Sequence, residues 1–487
     1  MVVSRMSELY AELHETHTGI VLLVGDRALK AKKPCRMPFL DFSSVELREQ
    51  ACARELDLNR RLAADVYLGL GHLSDPLGGP SEPIVVMRRM SEKTRLSTMI
   101  ACGEDVEPAL TDLSARIAAF HATAVRSSEI DRQGTVPFVQ RRWEANLLEI
   151  AALADVPARH LLPTIERLAT AYLAGRESLF AARIAESRVV DGHGDLICED
   201  VFCLPDGPRA LDCLDFDDAL RFVDGIDDVC FLAMDLEFRG RPDLATAFLS
   251  AYLAAAGDAV PPSLIGHYVA YRALVRAKVE CIRGAQGDIR SIEAAEAHLE
   301  LAVAHLKRSC VRLCLVGGLP GTGKSTVSTA LAQRVGATVI SSDKVRKELV
   351  AAGVIDGEPG TFEQGLYSPE AVALVYKSIL ARAREKLENG VSVIIDASWT
   401  DPERVAEAAA LALATDAVHI VMHCTAPVRI AAARISQRRG GDSDATVAVA
   451  SAMAERASTD LHGLLTVDTS GSVEASVDTA AGGWNSI

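Results

Sequence analysis

The chain has little that would attach it to a membrane: apolar stretches such as residues 393–395 fall far short of the roughly 20 residues that a spanning helix needs. Its first residues, MVVSRMSELYAELHE, lack an apolar core followed by a cleavage site, so no membrane partner and no export are expected. It has no excess of positive charge either. A formal charge of −15 argues against a nucleic-acid partner, because a phosphate backbone is bound through a basic surface that releases counterions. Small anionic substrates stay open. The eleven cysteines, Cys198, Cys203, Cys310 and Cys314 among them, contain no CxxC pair. Neither a zinc site nor a disulfide framework is therefore indicated, and a reducing cytoplasm fits. Internal repeats are missing, and so is low complexity beyond an alanine richness that reflects helix propensity.

What is present is size and apolar content. At 487 residues the chain exceeds what one hydrophobic core organises, and 49% hydrophobic residues suffice for two or three well-packed domains. The segment GIVLLVGDRALKAKKP reads as two strands turning at Gly25 and Asp26, because apolar residues run up to the Gly-Asp pair and resume after it. Ser43 and Glu46 have the spacing of a capping box, and apolar residues at helical spacing follow it through Leu62. Residues 84–90 are a strand candidate. Residues 110–307 are mostly helical in pattern, broken by a loop at 191–200 and by RALDCLDFDDALRF. Strands first and helices later outline a two-lobed α+β domain.

A polar turn at Gln286 and Gly287 leads into one more helical pattern, after which VRLCLVGG begins a buried strand. The boundary is placed there, giving domains of residues 1–308 and 309–487. In the second, apolar runs recur at 311–316, 338–341, 392–395, 418–422 and 464–467 with helical pattern between them. That alternation predicts an α/β domain with a five-stranded parallel sheet covered on both faces.

Two stretches carry the chemistry of phosphate transfer. In GGLPGTGKST, the residues Gly318, Leu319, Pro320, Gly321, Thr322, Gly323, Lys324, Ser325 and Thr326 stand between a buried strand and a helix. Glycines there let backbone N–H groups close around phosphate oxygens, Lys324 reaches the terminal phosphates, and the Ser325 hydroxyl suits magnesium. Asp343 falls at the carboxyl edge of the second predicted strand, with Arg346 one helical turn on. It resembles the acceptor-binding Asp of small-molecule P-loop kinases of the gluconate and shikimate kinase type, and more loosely of the zeta-toxin type; a helix cap is the plainer reading. Asp396 ends the third strand in the place of a Walker B carboxylate, against the alternative of a turn residue. Arg434, Arg438 and Arg439 resemble lid arginines, and a solvated basic helix face competes with that. No Asn-Lys-x-Asp guanine-reading motif follows, so the expected cofactors are ATP and Mg²⁺.

The second stretch is VVDGHGDLICEDVF. A His-Gly-Asp followed five residues on by Asn is the catalytic loop of kinase-like folds, where the Asp takes the substrate proton and the Asn holds magnesium. Here Asp195 occupies the first place, but position 200 is Asp. A short strand later, CLDFDD supplies Asp215 as a further metal ligand, with Asp212 competing for the role. Lys30 or Lys32, on one strand face at spacing two, would hold the nucleotide phosphates, and Glu55 on the following helix would be the ion-pair partner. Each alone is more often a solvated side chain; their joint order makes the set.

The first ~308 residues resemble the aminoglycoside phosphotransferase family, through KKPCRMPFLDFSS, ELDLNRRLA, HGDL, FLAMDLEFRGRPDLA and YRALVRAKV. With the P-loop, SSDKVRKEL, IIDASW and SDA, the whole chain is similar to a two-domain bacterial family described as bifunctional phosphotransferase/ATP-binding proteins. The resemblance implies a kinase-like first domain and an ATP-binding second one, with a small-molecule hydroxyl acceptor. It does not imply an aminoglycoside, because the family name covers kinases of sugars, amino alcohols and amino acids. The departures are Asp200 in place of Asn and Ile197-Cys198 after HGDL. An ATP-binding switch with little transfer activity is the rival expectation, and a nucleotide-sugar-directed toxin kinase a third.

Overall fold

Glycine and alternation build the first sheet. In the computed structural model, which describes residues 10–15, 18–37, 40–153, 156–358, 364–437, 453 and 465–486, strands β1 (Ala11–Glu15), β2 (Gly19–Val24) and β3 (Arg27–Lys32) run consecutively. Gly25, at φ +56°, makes the tight β2–β3 reversal that a side chain would oppose. A short ladder of β4 (Arg36–Met37) and β5 (Leu40–Asp41) leads into the helix Val45–Ala63. Next, β6 (Tyr67–Leu73) and β7 (Glu82–Arg88) complete an antiparallel sheet in the order β1-β2-β3-β7-β6.

β3 is therefore an inner strand, with Lys30 across from Val21 on one side and Val85 on the other. Ala28 shares the face of Lys30 and Lys32 by the two-residue period, and it packs in one core with Cys52 and Leu56 of the helix Val45–Ala63. Glu55 is thus carried to the lysines by the burial of its neighbours. The helix starts one residue later than the capping-box spacing predicts: Ser44 accepts from the Leu47 amide at 3.3 Å. The Ser43 hydroxyl is drawn away by Asp41, to which it donates at 2.5 Å.

Two small antiparallel ladders frame the loops that matter. β8 (Val189–Asp191) pairs with β11 (Phe222–Asp224), and β9 (Val201–Leu204) pairs with β10 (Gly207–Ala210). The stretch from Gly192 to Asp200 lies between β8 and β9, and Asp212 to Asp215 lie between β10 and β11, so both are anchored at each end. Behind them runs the helix Gly225–Phe238, buried at every residue from Gly225 to Leu236.

The second sheet is wholly parallel, in the order β13 (Thr338–Ser341), β14 (Val393–Asp396), β12 (Arg312–Gly317), β15 (Val418–Thr425), β16 (Leu465–Asp468). All five strands fall on the five apolar runs, as expected for strands covered on both faces. β12 is buried throughout, and Val327 and Leu331 of the helix Lys324–Val335 pack against it together with Trp484.

The chain divides into two compact units, one of Met1–Leu161, Ala182–Val260 and Tyr268–Ala302, the other of Leu162–Ala181, Pro261–His267 and Val303–Ile487. The second unit thus takes in two helical pieces from earlier in the chain. Buried Arg176 holds one of them in place by donating to the Thr415 carbonyl at 2.7 Å, and Ser263 holds the other by donating to the Gly390 carbonyl at 2.6 Å.

Candidate functional site

In the second unit, the P-loop leaves the carboxyl end of β12 and opens the helix Lys324–Val335. Gly318, Gly321 and Gly323 have φ of +134°, +81° and +87°. A Cβ at Gly318 would lie 2.5 Å from the Cys424 carbonyl oxygen, and one at Gly321 would lie 2.5 Å from that of Ala431. The glycines are therefore required by backbone angle and by space together. The Leu319 carbonyl accepts from the Lys324 ammonium at 3.1 Å and from the Thr322 hydroxyl at 2.7 Å.

Because β14 is paired in parallel with β12, Asp396 stands level with Val316 and reaches the loop. It is buried, and burial pushes its carboxyl above the ordinary value against the opposing pull of a Ser325 hydrogen bond and of Lys324. A hydroxyl and a carboxylate in contact beside a phosphate loop fit the few protein ligands that magnesium takes in nucleotide sites. Asp343 is no helix cap: it is the second residue of the helix Ser342–Ala351, whose cap is Ser341. Its carboxylate accepts from Arg346 at 2.5 Å, and the Arg346 guanidinium lies 4.6 Å from the centre of the Tyr367 ring.

Pro320, Gly321, Gly323, Lys324, Ser325 and Thr326 of the loop line a cavity of about 270 Å³ together with Asp343, Arg346, Tyr367, Tyr376, Asp396, Ser398 and Thr400. The two tyrosines and Thr400 escape sequence reading, because nothing in their spacing separates them from core and loop residues. Arg434 does not line this cavity. Its fork donates to the Thr469 carbonyl at 2.7 Å and hydroxyl at 3.2 Å and to the Gly321 carbonyl of the loop at 3.5 Å. Arg438 and Arg439 lie outside the described residues.

In the first unit, both lysines of β3 meet one glutamate. Lys30 Nζ lies 2.7 Å from Glu55 Oε1 and Lys32 Nζ lies 2.7 Å from Glu55 Oε2. Each lysine also holds a carboxylate of the later segment, Lys30 with Asp212 and Lys32 with Asp215, both at 2.9 Å. Burial works against both ammonium charges, yet the surrounding carboxylates outweigh it and hold both above the ordinary lysine value. The coulombic pull of Lys30 is the main reason that Asp212 is held below the usual carboxylate range.

The loop with Asp195 is fixed by one buried carboxylate. Asp228 accepts from the amides of His193 and Gly194, each at 2.7 Å, and from His121 at 3.0 Å. Burial raises Asp195 to about 6, with Arg276 opposing the rise and Asp212 adding to it. Asp200 is raised well above the carboxylate range by burial, then by Asp212 and Asp195. This concentration of carboxylate, with only part of it matched by lysine, suits a cation. Among the described residues no three His, Cys, Asp or Glu side chains form a ready metal cage, since Asp212 and Asp215 are turned to the lysines.

The fold defines an α+β unit followed by an α/β unit that carries a P-loop at the end of its first strand. The chain belongs to the family of two uncharacterized mycobacterial proteins, from Mycobacterium tuberculosis and Mycobacterium bovis. It is 49% identical to each over 480 residues, 98% of this chain and 96% of theirs. Residues 313–459 also match the family model described as an AAA domain. Among solved structures, a choline/ethanolamine kinase family protein from Mesorhizobium loti is 14% identical, with 61% of this chain and 92% of that one covered at a TM-score of 0.38. The APS kinase of Mycobacterium tuberculosis is 17% identical over 36% of this chain and 99% of that one, with a TM-score of 0.29. Among the described residues no helix is long and apolar enough to cross a membrane.

Two outcomes follow from this geometry. Asp228→Ala removes the acceptor of two buried amides and of His121, and is expected to destabilise the first unit by roughly 3 kcal/mol, read as a lower urea midpoint. A shift below about 1 kcal/mol would mean that the loop is held by something else. Gly321→Ala is expected to weaken binding of a non-hydrolysable ATP analogue by roughly tenfold or more, because φ +81° and the Ala431 carbonyl leave no place for the methyl. Unchanged affinity in calorimetry would count against this loop as the phosphate site.

Proposed function

We propose that the protein is an ATP-dependent phosphotransferase with two nucleotide sites, which moves the γ-phosphate of ATP to a hydroxyl of a small metabolite such as a sugar, amino sugar or amino alcohol. The observation that carries the reading is a cavity lined both by P-loop residues and by Asp343 and Arg346. Lys324 stabilises charge on the terminal phosphates, and the loop amides orient them in line. Asp343 accepts the hydroxyl proton, while Arg346 keeps that carboxylate aimed and its own plane fixed against Tyr367. Ser325 and Asp396 would hold magnesium, which when bound neutralises charge on the phosphate oxygens.

In the first unit Asp195 is the proton acceptor. Asp200, with either Asp212 or Asp215, supplies the carboxylates available to a metal, and Lys30 or Lys32 is the phosphate ligand, braced by Glu55. An ATP-binding switch is the second reading. It is favoured by the crowding of Asp200 against Asp195 and Asp212, which makes the first unit's loop costly to charge fully.

Screening sugars, amino sugars and amino alcohols for ADP release by the whole chain tests the proposal. Lys324→Ala is expected to lower turnover at the second site by about a hundredfold or more. Asp343→Asn should leave ATP affinity nearly unchanged while acceptor-dependent transfer collapses. Acceptor-dependent turnover in neither the wild type nor the variant across the screen would favour the switch.

A pH profile tests Asp195. A proton acceptor works only when ionised, and with its carboxyl raised to about 6 its share of turnover is expected to be full above neutrality and to fall as pH drops through that value. Measured in the Lys324→Ala background, an acid limb near the ordinary carboxylate value of ~4, or an Asp195→Asn variant that keeps its rate, would exclude this role.

A further inference from the structure

We infer that Lys32 and Asp215 form an internal latch that fixes Glu55, leaving Lys30 as the lysine that meets nucleotide phosphate and Asp212 as the carboxylate that must release it. The inference rests on reading the first unit as a nucleotide-binding kinase unit. Five charges alternate in one row: Asp212, Lys30, Glu55, Lys32, Asp215. Glu55, with its side chain 1% exposed, is the hinge of the row, and each of its oxygens has one ammonium. A carboxylate held at one oxygen can still swing about its bond. Held at both, it has a fixed plane, and so a fixed direction in which to present the remaining lysine.

The two ends of the row are unequal. Lys32 is 7% exposed and Asp215 21%, and Lys32 Nζ lies 5.3 Å from the centre of the Phe42 ring. At the other end Lys30 is 23% exposed and Asp212 56%. An ion pair nearer water is parted at less cost than a sheltered one, where parting strands a charge. Incoming phosphate therefore replaces Asp212 on Lys30 and leaves Lys32 with Asp215 intact. The backbone of the exchanging segment is pinned meanwhile. The Asp212 amide donates to the Tyr67 hydroxyl at 3.3 Å, and the Cys213 amide donates to Asn59 Oδ1 at 2.8 Å. Exchange is thus a turn of the Asp212 side chain. Asp212 itself sits at φ +60°, a left-handed angle uncommon outside glycine, which marks the residue as held there by its surroundings. The roles follow: Lys30 and Asp212 touch ligand, while Lys32 and Asp215 are positioning residues acting through Glu55.

An acyl-phosphate derivative of ATP, which acylates lysines beside its phosphates, reads the roles site by site in the full chain, with labelled peptides quantified by mass spectrometry. Lys30 and Lys324 are expected to be labelled, each protected by excess ATP, and Lys32 is not. Lys32→Met is expected to reduce Lys30 labelling by about tenfold while Lys324 labelling is unchanged. Lys32→Arg is expected to restore it, which a purely space-filling role for Lys32 does not predict. Asp215→Asn, which keeps shape and both lysines, should act in the same direction and decides the matter if Lys32→Met fails to fold. Asp212→Asn should raise Lys30 labelling in the absence of magnesium. Labelling of Lys32 in place of Lys30, or Lys30 labelling untouched by Asp215→Asn, would overturn the latch. Labelling of Lys324 alone would instead remove the nucleotide site of the first unit, and the latch with it.

Discussion

One buried carboxylate with an ammonium on each oxygen sets the geometry of the first unit. Glu55 cannot be placed without cost unless its charge is matched, and it is matched twice over by side chains that the strand period puts on one face. The match ties together three parts far apart in sequence: the inner strand β3, the helix that packs on it, and the segment between β10 and β11. Asp212 and Asp215 meet the lysines of the sheet, and the Tyr67 hydroxyl and Asn59 hold the backbone between them.

The two units bring polar groups together by different means. In the second, backbone amides at a helix start and one lysine stand together, and three glycines let the chain come close. In the first, two side-chain ammonium groups converge on one buried glutamate. Both units also set a carboxylate apart by burial. Asp396 and Asp195 are raised mainly because they are removed from water, one beside Ser325 and the other beside Arg276. A carboxylate in that condition is ready either to take a proton or to be neutralised by a cation.

Position 200 illustrates how context changes the meaning of a residue. As a letter in a motif, Asp200 departs from the expected Asn. In the folded unit burial raises it well above the carboxylate range, and the charges of Asp212 and Asp195 raise it further. Arg434 shows the converse. Its sequence context resembles that of a lid arginine, and in the folded unit its guanidinium donates to Thr469 and to the Gly321 carbonyl of the loop.

The sequence by itself determined the elements and the residues that bear the chemistry. The five parallel strands, the hairpin at Gly25, the P-loop and the order of Lys30 or Lys32, Glu55, Asp195 and Asp215 or Asp212 were all legible, because each rests on local period or on a motif with local geometry. What only the tertiary structure decided was pairing across distance. That Lys30 and Lys32 share Glu55, that Asp228 carries the His193 and Gly194 amides, and that Tyr367 and Tyr376 complete a cavity all depend on chain segments brought together by packing. So does the membership of Leu162–Ala181 in the second unit, where a buried arginine finds the Thr415 carbonyl. Burial and charge matching act between residues regardless of their separation along the chain, and no spacing in the sequence records them.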